Sequence, residues 1–254
     1  MPNYEVVSKE SHINSRWKSS NNYMFTAKDS LCPLVMQEVP KAALHLPISF
    51  FKTGEHFGLF AVQGLEDGVN SLIDGQGNWL AGYIPAVYRG YPFLIANAEE
   101  EQVLCIDSDS GLIGQDEGEM FFDELSEPSP KLKEIIDFLT QVYADKPATQ
   151  ALCLLLEEHD LIEPWPITFK RNDKDVPVEG LFRVNETKFN TLDTSALTTL
   201  RDKGALPLIF CQLLSMQNLA HINRRGLTSG STTGVPAELF DLSVDDGNIS
   251  FEGF

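Results

Sequence analysis

Ser129-Pro-Lys-Leu-Lys-Glu-Ile-Ile-Asp-Phe-Leu-Thr-Gln-Val-Tyr143 is the stretch at which the sequence changes period. Ser129 suits a helix cap and Pro130 the first helical position, where a missing N–H is no loss. Leu132, Ile135, Ile136, Leu139, Val142 and Tyr143 then recur at helical spacing, which makes one face apolar. The residues before this stretch read as strands and turns, and those after it are mostly helical. That order predicts an α+β fold: an N-terminal antiparallel β-rich part followed by helices, with a buried C-terminal helix.

Toward the N-terminus, the acidic residues 108–129 are the expected lobe boundary. Gln102-Val-Leu-Cys-Ile-Asp107 reads as a buried strand, and Glu99-Glu-Glu as the turn before it. Pro47-Ile-Ser-Phe-Phe and Phe57-Gly-Leu-Phe-Ala-Val flank Lys-Thr-Gly-Glu-His, a hairpin signal. Residues 1–30 are polar, rich in Ser and Asn, and read as an extended arm over the body. Residues 31–225 form the α+β domain.

Toward the C-terminus, Pro147 is expected to open a second helix that runs to about Leu161. Residues 167–170 and 176–184 around Asn172-Asp-Lys-Asp predict another hairpin. Asn185 caps a short helix, and Thr194 or Ser195 caps one ending at Gly204. From Leu206 to about Ile222 apolar residues fall on nearly all faces, so this helix is expected at the centre of the fold. Gln212, Ser215, Asn218 and His221 run along it as a polar stripe that could line a cavity, face water or bind a neighbouring loop. Arg224-Arg225-Gly226 is a helix stop. Thr228-Ser-Gly-Ser-Thr-Thr-Gly resembles a phosphate-binding loop, but Ala237 stands where its lysine is expected, so it reads as linker. Residues 226–254 form a flexible acidic tail.

The charge is concentrated. The whole chain carries −18, from 37 acidic and 19 basic residues. Between Glu99 and Glu163 there are 18 acids and three bases, whereas the first 98 residues hold 8 and 7. Such a field excludes nucleic acid and anionic lipid as main partners. Cys32, Cys105, Cys153 and Cys211 include no close pair, which excludes a zinc ribbon or a redox dithiol. The N-terminus has no signal peptide and no apolar run spans a bilayer, so no membrane insertion is expected. The expected location is cytoplasmic, although signal-less export leaves no trace in a sequence.

Site chemistry is sparse. Asp107-Ser-Asp-Ser-Gly fails the EF-hand pattern, with Gly111 at its fifth position and Gly118 at its twelfth. The five histidines form no metal-spaced pair, though His45 and His56 could converge around the first hairpin. Nucleophile-elbow, Walker and dinucleotide motifs are absent. No metal or cofactor is called for, and catalytic residues are unknown. The candidate binding residues are Trp79, Tyr83, Tyr88, Arg89 and Tyr91, from an aromatic segment running to Phe93, with Asp107, Asp109, Gln212 and His221. Tyrosines beside an arginine are typical of binding hot spots. They are equally typical of a Pro-kinked core segment.

Several motifs together resemble the SapC family of bacterial proteins. They are Trp79-Leu-Ala-Gly-Tyr-Ile-Pro-Ala, Arg89 with Tyr91-Pro-Phe, Cys105-Ile-Asp-Ser-Asp-Ser-Gly, Phe122-Asp-Glu, Glu179-Gly-Leu-Phe-Arg-Val-Asn-Glu and Gly204-Ala-Leu-Pro-Leu-Ile-Phe, continuing to Leu214-Ser-Met-Gln-Asn-Leu. The resemblance spans roughly residues 33–223. It implies an association with surface layers (S-layers), from which the family is named. Relatives lie beside genes for flavin-dependent halogenase-like and cupin-like proteins and TonB-dependent receptors. No catalytic residue carries across. The resulting expectation is a soluble, non-catalytic binding or accessory protein linked to surface-layer or nutrient-uptake systems, with a protein or small molecule as partner and an oligomer allowed. The alternative is an enzyme, or an enzyme's partner, acting on a small molecule or peptide side chain in a cleft near Arg89 and Asp107.

Overall fold

A computed structural model describes residues 3–98, 101–171 and 174–222. The acidic turn at 99–100, the tip of the second hairpin, the Arg224-Arg225-Gly226 stop, the phosphate-loop likeness and the tail lie outside them.

The chain opens with β1 (Tyr4–Val6), the one-turn helix α1 (Lys9–His12) and β2 (Arg16–Trp17). β3 (Leu31–Pro33) leads through a 3₁₀ turn at Met36–Glu38 into α2 (Val39–Ala42). The predicted hairpin comes next as β4 (Ile48–Thr53) and β5 (His56–Val62), with Thr53 opposite His56 and Gly54 at φ +69° in the turn. Glycine takes that left-handed conformation without a Cβ penalty. Pro85 precedes the short helix α3 (Ala86–Arg89), the Tyr91–Pro92 peptide is cis, and β6 (Phe93–Ala98) follows. β7 (Glu101–Asp107), β8 (Ile113–Gly114) and β9 (Glu119–Met120) complete the N-terminal part.

α4 (Pro130–Glu158) is a single helix of 29 residues with Pro147 inside it, where two helices were expected. Tertiary contacts override the break. Thr149 donates its hydroxyl to Asp145 O, and its oxygen also accepts the Met36 N–H at 2.8 Å. The neighbouring Gln37 N–H goes to the Asp145 carboxylate at 2.9 Å. The 3₁₀ turn thus docks on α4 across the proline, while Cys153 and Leu156 beyond it are fully buried.

After α4 come β10 (Ile162–Pro164), β11 (Ile167–Arg171), β12 (Lys174–Val178), β13 (Leu181–Val184), α5 (Glu186–Asn190), α6 (Thr194–Asp202) and α7 (Leu206–Ser215). Asn185 caps α5 as expected, through the Lys188 N–H. The cap of α6 is Asp193 rather than Thr194 or Ser195. α7 gives way to a 3₁₀ turn at Met216–Asn218 and a further helical turn over 219–222.

Among the described residues the strands form four antiparallel sheets, ordered β1-β7-β6, β10-β13-β4-β5-β3, β8-β2-β9 and β11-β12. The segment expected as an extended arm is thereby woven into two of them. Val6 pairs with Cys105, and Trp17 with Ile113 and Glu119. Phe121 and Phe122, from the expected lobe boundary, are buried. This is an α+β fold with antiparallel strands first and helices after.

Two cores result. The larger joins the five-stranded sheet, α2, α7 and the second half of α4, with Phe50, Leu46, Leu156 and Leu208 fully enclosed. The smaller holds Trp17, Phe93, Ile106, Phe121, Phe122, Leu132 and Leu139. α4 belongs to both cores and spans the seam between them. Among the described residues no single helix is long and apolar enough to cross a membrane.

Candidate functional site

α7 is a buried helix, as expected, and its polar stripe takes the last of the three expected roles, bonding to neighbouring backbone. Gln212 and Ser215 are fully buried, whereas Phe210 is 50 % and Leu214 66 % exposed. The polar stripe serves as internal mortar. Gln212 accepts the Val184 N–H at 2.9 Å and donates to Ile48 O at 3.0 Å. Ser215 accepts the Ile48 N–H at 2.9 Å, and Asn218 donates to Ala43 O at 2.8 Å. A buried backbone group without a partner is costly, so these side chains finish sheet and turn where no strand can reach. The buried side of this helix thus carries Leu208 and Ile209 together with Gln212, Ser215 and Asn218. His221, at the end of the stripe, is exposed.

Asp107 is also structural. Its carboxylate accepts the Asn3 N–H at 3.0 Å, the Asp109 N–H at 3.2 Å and the Tyr91 hydroxyl at 3.0 Å. It thereby caps the 3₁₀ turn at Ser108–Ser110 and ties down the N-terminal strand. Asp109 enters this set through its backbone. Burial and the Asp107 carboxylate together push the Tyr91 hydroxyl above its ordinary pKa. Among the described residues no hydrogen bond or ion pair links Arg89, Asp107 and His221, and no three His, Cys, Asp or Glu side chains are placed to hold a metal ion. His45 packs beside Gly82 and His56 pairs with Glu157 at 3.3 Å, so these two histidines have different surroundings.

The aromatic segment faces inward. Tyr23, Phe25, Tyr88 and Trp79 form a closed circuit of ring contacts at 5.6–6.1 Å, and Tyr91 stacks on Phe25 at 3.7 Å. Tyr88 is buried; its hydroxyl donates to Asp29 and accepts from Gln63. Burial raises its pKa strongly. Trp79 is half-buried and donates its indole N–H to Tyr83 O at 2.8 Å. Of the nine candidates, only Tyr83 and Arg89 line the cleft between the two cores.

At that seam a cavity of about 320 Å³ opens between β5, β6 and α4, lined by Phe60, Leu94, Ile95, Leu139, Val142 and Tyr143 among others. It lies at the lower end of the ~300–1,000 Å³ range of ligand cavities. An adjoining recess of about 160 Å³ shares Val35, Glu38 and Val142 with it and adds Lys41, Tyr83, Arg89 and Phe138. The recess is the polar end of the site.

Glu38 anchors this end. Its carboxylate accepts the Val35 N–H at 3.1 Å, the Ala86 N–H at 2.8 Å and the Tyr83 hydroxyl at 3.0 Å. Burial nevertheless raises its pKa, although those bonds and nearby Arg89 oppose the shift. Burial first, then Glu38, pushes the Tyr83 hydroxyl up to about 12. Arg89 is exposed, donates to the Tyr83 hydroxyl at 3.3 Å and stands 5.0 Å from the Phe138 ring centroid. Glu38, Lys41, Phe138 and Lys146 were missed in the sequence. The available signal was Glu38 itself, a single carboxylate in the largely apolar run Leu34-Val-Met-Gln-Glu-Val-Pro40.

The SapC family model matches residues 7–222, which take in both cores and every element except β1. No curated protein and no solved structure matches the chain. With the family's motifs distributed over both cores and the seam between them, the chain belongs to the SapC family.

Proposed function

We propose that this SapC protein is a non-catalytic binding or accessory protein, and that its ligand site is the cleft between the two cores. The observation that carries this reading is the cavity of about 320 Å³ between β5, β6 and α4, with an apolar wall and a polar recess at one end. A pocket of that make-up is the usual form of a small-molecule site.

The cleft's chemistry favours binding over catalysis. Its one tyrosine–carboxylate pair, Tyr83 and Glu38, has the hydroxyl pushed up to about 12, the direction opposite to activation as a nucleophile. Arg89, Asp107 and His221, whose convergence would have favoured an enzyme, make no hydrogen bond or ion pair with one another among the described residues. A role beside surface-layer or uptake systems agrees with the family name and belongs to the same proposal. So do a cytoplasmic location and a partner other than nucleic acid.

The test fills the cavity. Leu94→Trp, at a half-buried position on β6, is expected to keep the thermal transition within a few degrees and abolish binding of an apolar probe such as 1-decanol. Unchanged probe binding in the filled variant would refute the reading.

A further inference from the structure

We infer that the cleft takes a free medium-chain carboxylic acid, its alkyl chain in the apolar cavity and its carboxylate on Arg89. This rests on the reading of the cleft as the ligand site and adds the chemical class of ligand.

Size supports the first half. Taking a methylene as the ~30 Å³ share of a liquid water, 320 Å³ holds roughly ten carbon-sized groups. The walls that meet such a chain are Phe60, Leu94, Ile95, Leu139 and Val142.

Charge supports the second half. The protein is strongly acidic, yet three cations, Lys41, Arg89 and Lys146, line the cavity and its recess. None of the three makes an ion pair among the described residues. Lys146 is one of only three bases between Glu99 and Glu163. Its ammonium lies 4.7 Å from the Tyr143 ring centroid. Arg89 lies beside two rings, 5.0 Å from Phe138 and 5.7 Å from Tyr83, and spends one N–H on the Tyr83 hydroxyl. A guanidinium has five N–H donors, so donors remain for a planar carboxylate. The carboxylate that lines the recess, Glu38, makes no ion pair with Arg89 among the described residues. Glu38 already accepts from Val35, Ala86 and Tyr83, and Asp145 holds the Gln37 N–H. The recess therefore holds two cations, Lys41 and Arg89, against the one carboxylate Glu38, whose oxygens are already hydrogen-bonded. The electrostatic complement is one negative head on an apolar body.

The experiment titrates the full chain with decanoate, 1-decanol and decyltrimethylammonium below their micellar concentrations, followed by calorimetry. Decanoate is expected to bind about tenfold or more tightly than the other two, the factor typical of one charge-assisted contact. Arg89→Gln should remove most of that preference, Arg89→Lys should restore part of it, and Leu94→Trp should abolish binding of all three. Equal binding of decanoate and decanol, or a preference indifferent to Arg89→Gln, overturns the inference while leaving the cleft as a site. Decanoate binding that survives Leu94→Trp, or no binding of any probe, overturns the cleft reading and the inference with it.

Discussion

Glu38 is the residue on which the cleft's electrostatics turn. Its pKa is raised above the ordinary value of 4.5, with burial the largest cause. A carboxyl raised in this way favours the folded state in its protonated form. Its contribution is full below the unfolded pKa and is lost as pH rises through the folded one. Urea unfolding of the wild type against Glu38→Gln should therefore show the wild type losing relative stability as pH climbs above about 4.5, with Asp29 and other acids common to both curves. Parallel curves would contradict the assignment. At this scale the sequence was partly legible. Asp107 stood out at a strand end, but its carboxylate serves Asn3, Asp109 and Tyr91 rather than a ligand. Nothing local distinguishes such a capping aspartate from a site aspartate, because its partners lie 2, 16 and 104 residues away.

Among the elements, α4 decides the architecture. Pattern alone located its start at Ser129 and its apolar face, because both depend on neighbours within a turn or two. Its continuity through Pro147 depends on the 3₁₀ turn at Met36–Glu38, more than a hundred residues away, and was not legible. The consequence is measurable. A proline inside a helix forfeits one hydrogen bond and crowds the preceding turn, so Pro147→Ala should stabilise the protein by about 1–3 kcal/mol. The readout is the urea midpoint at constant slope. No gain, or a loss, would show that Pro147 acts as a first-turn residue of a separate helix. α7 gives the complementary lesson. Its apolar content marked it as buried, and the side that packs carries Gln212, Ser215 and Asn218 beside Leu208 and Ile209, because the backbone groups of β4, β13 and the α2 turn needed partners there. Phe210 and Leu214 were left outside. Hydrophobic count does not foresee which apolar residues stay outside.

For the whole molecule, the order of strands before helices was enough to give the α+β class. The presence of two cores was not, since Trp17 and Phe93, which meet at 4.9 Å, are far apart in sequence. The cleft is a product of that division, because it lies where Leu34 and Leu59 of one core face Phe93 and Leu139 of the other. It is also where Lys41, Arg89 and Lys146 of an acidic chain gather without an ion pair among the described residues. Backbone amide shifts in a decanoate titration are the direct test of the cleft as the ligand site. Shifts are expected at Leu94 and Ile95 on β6, Phe60 on β5, and Leu139 to Lys146 on α4, saturating together with those near Arg89. Saturating shifts confined to the exposed α7 face around Phe210 and Leu214, or no shifts at β6 and α4, would contradict it.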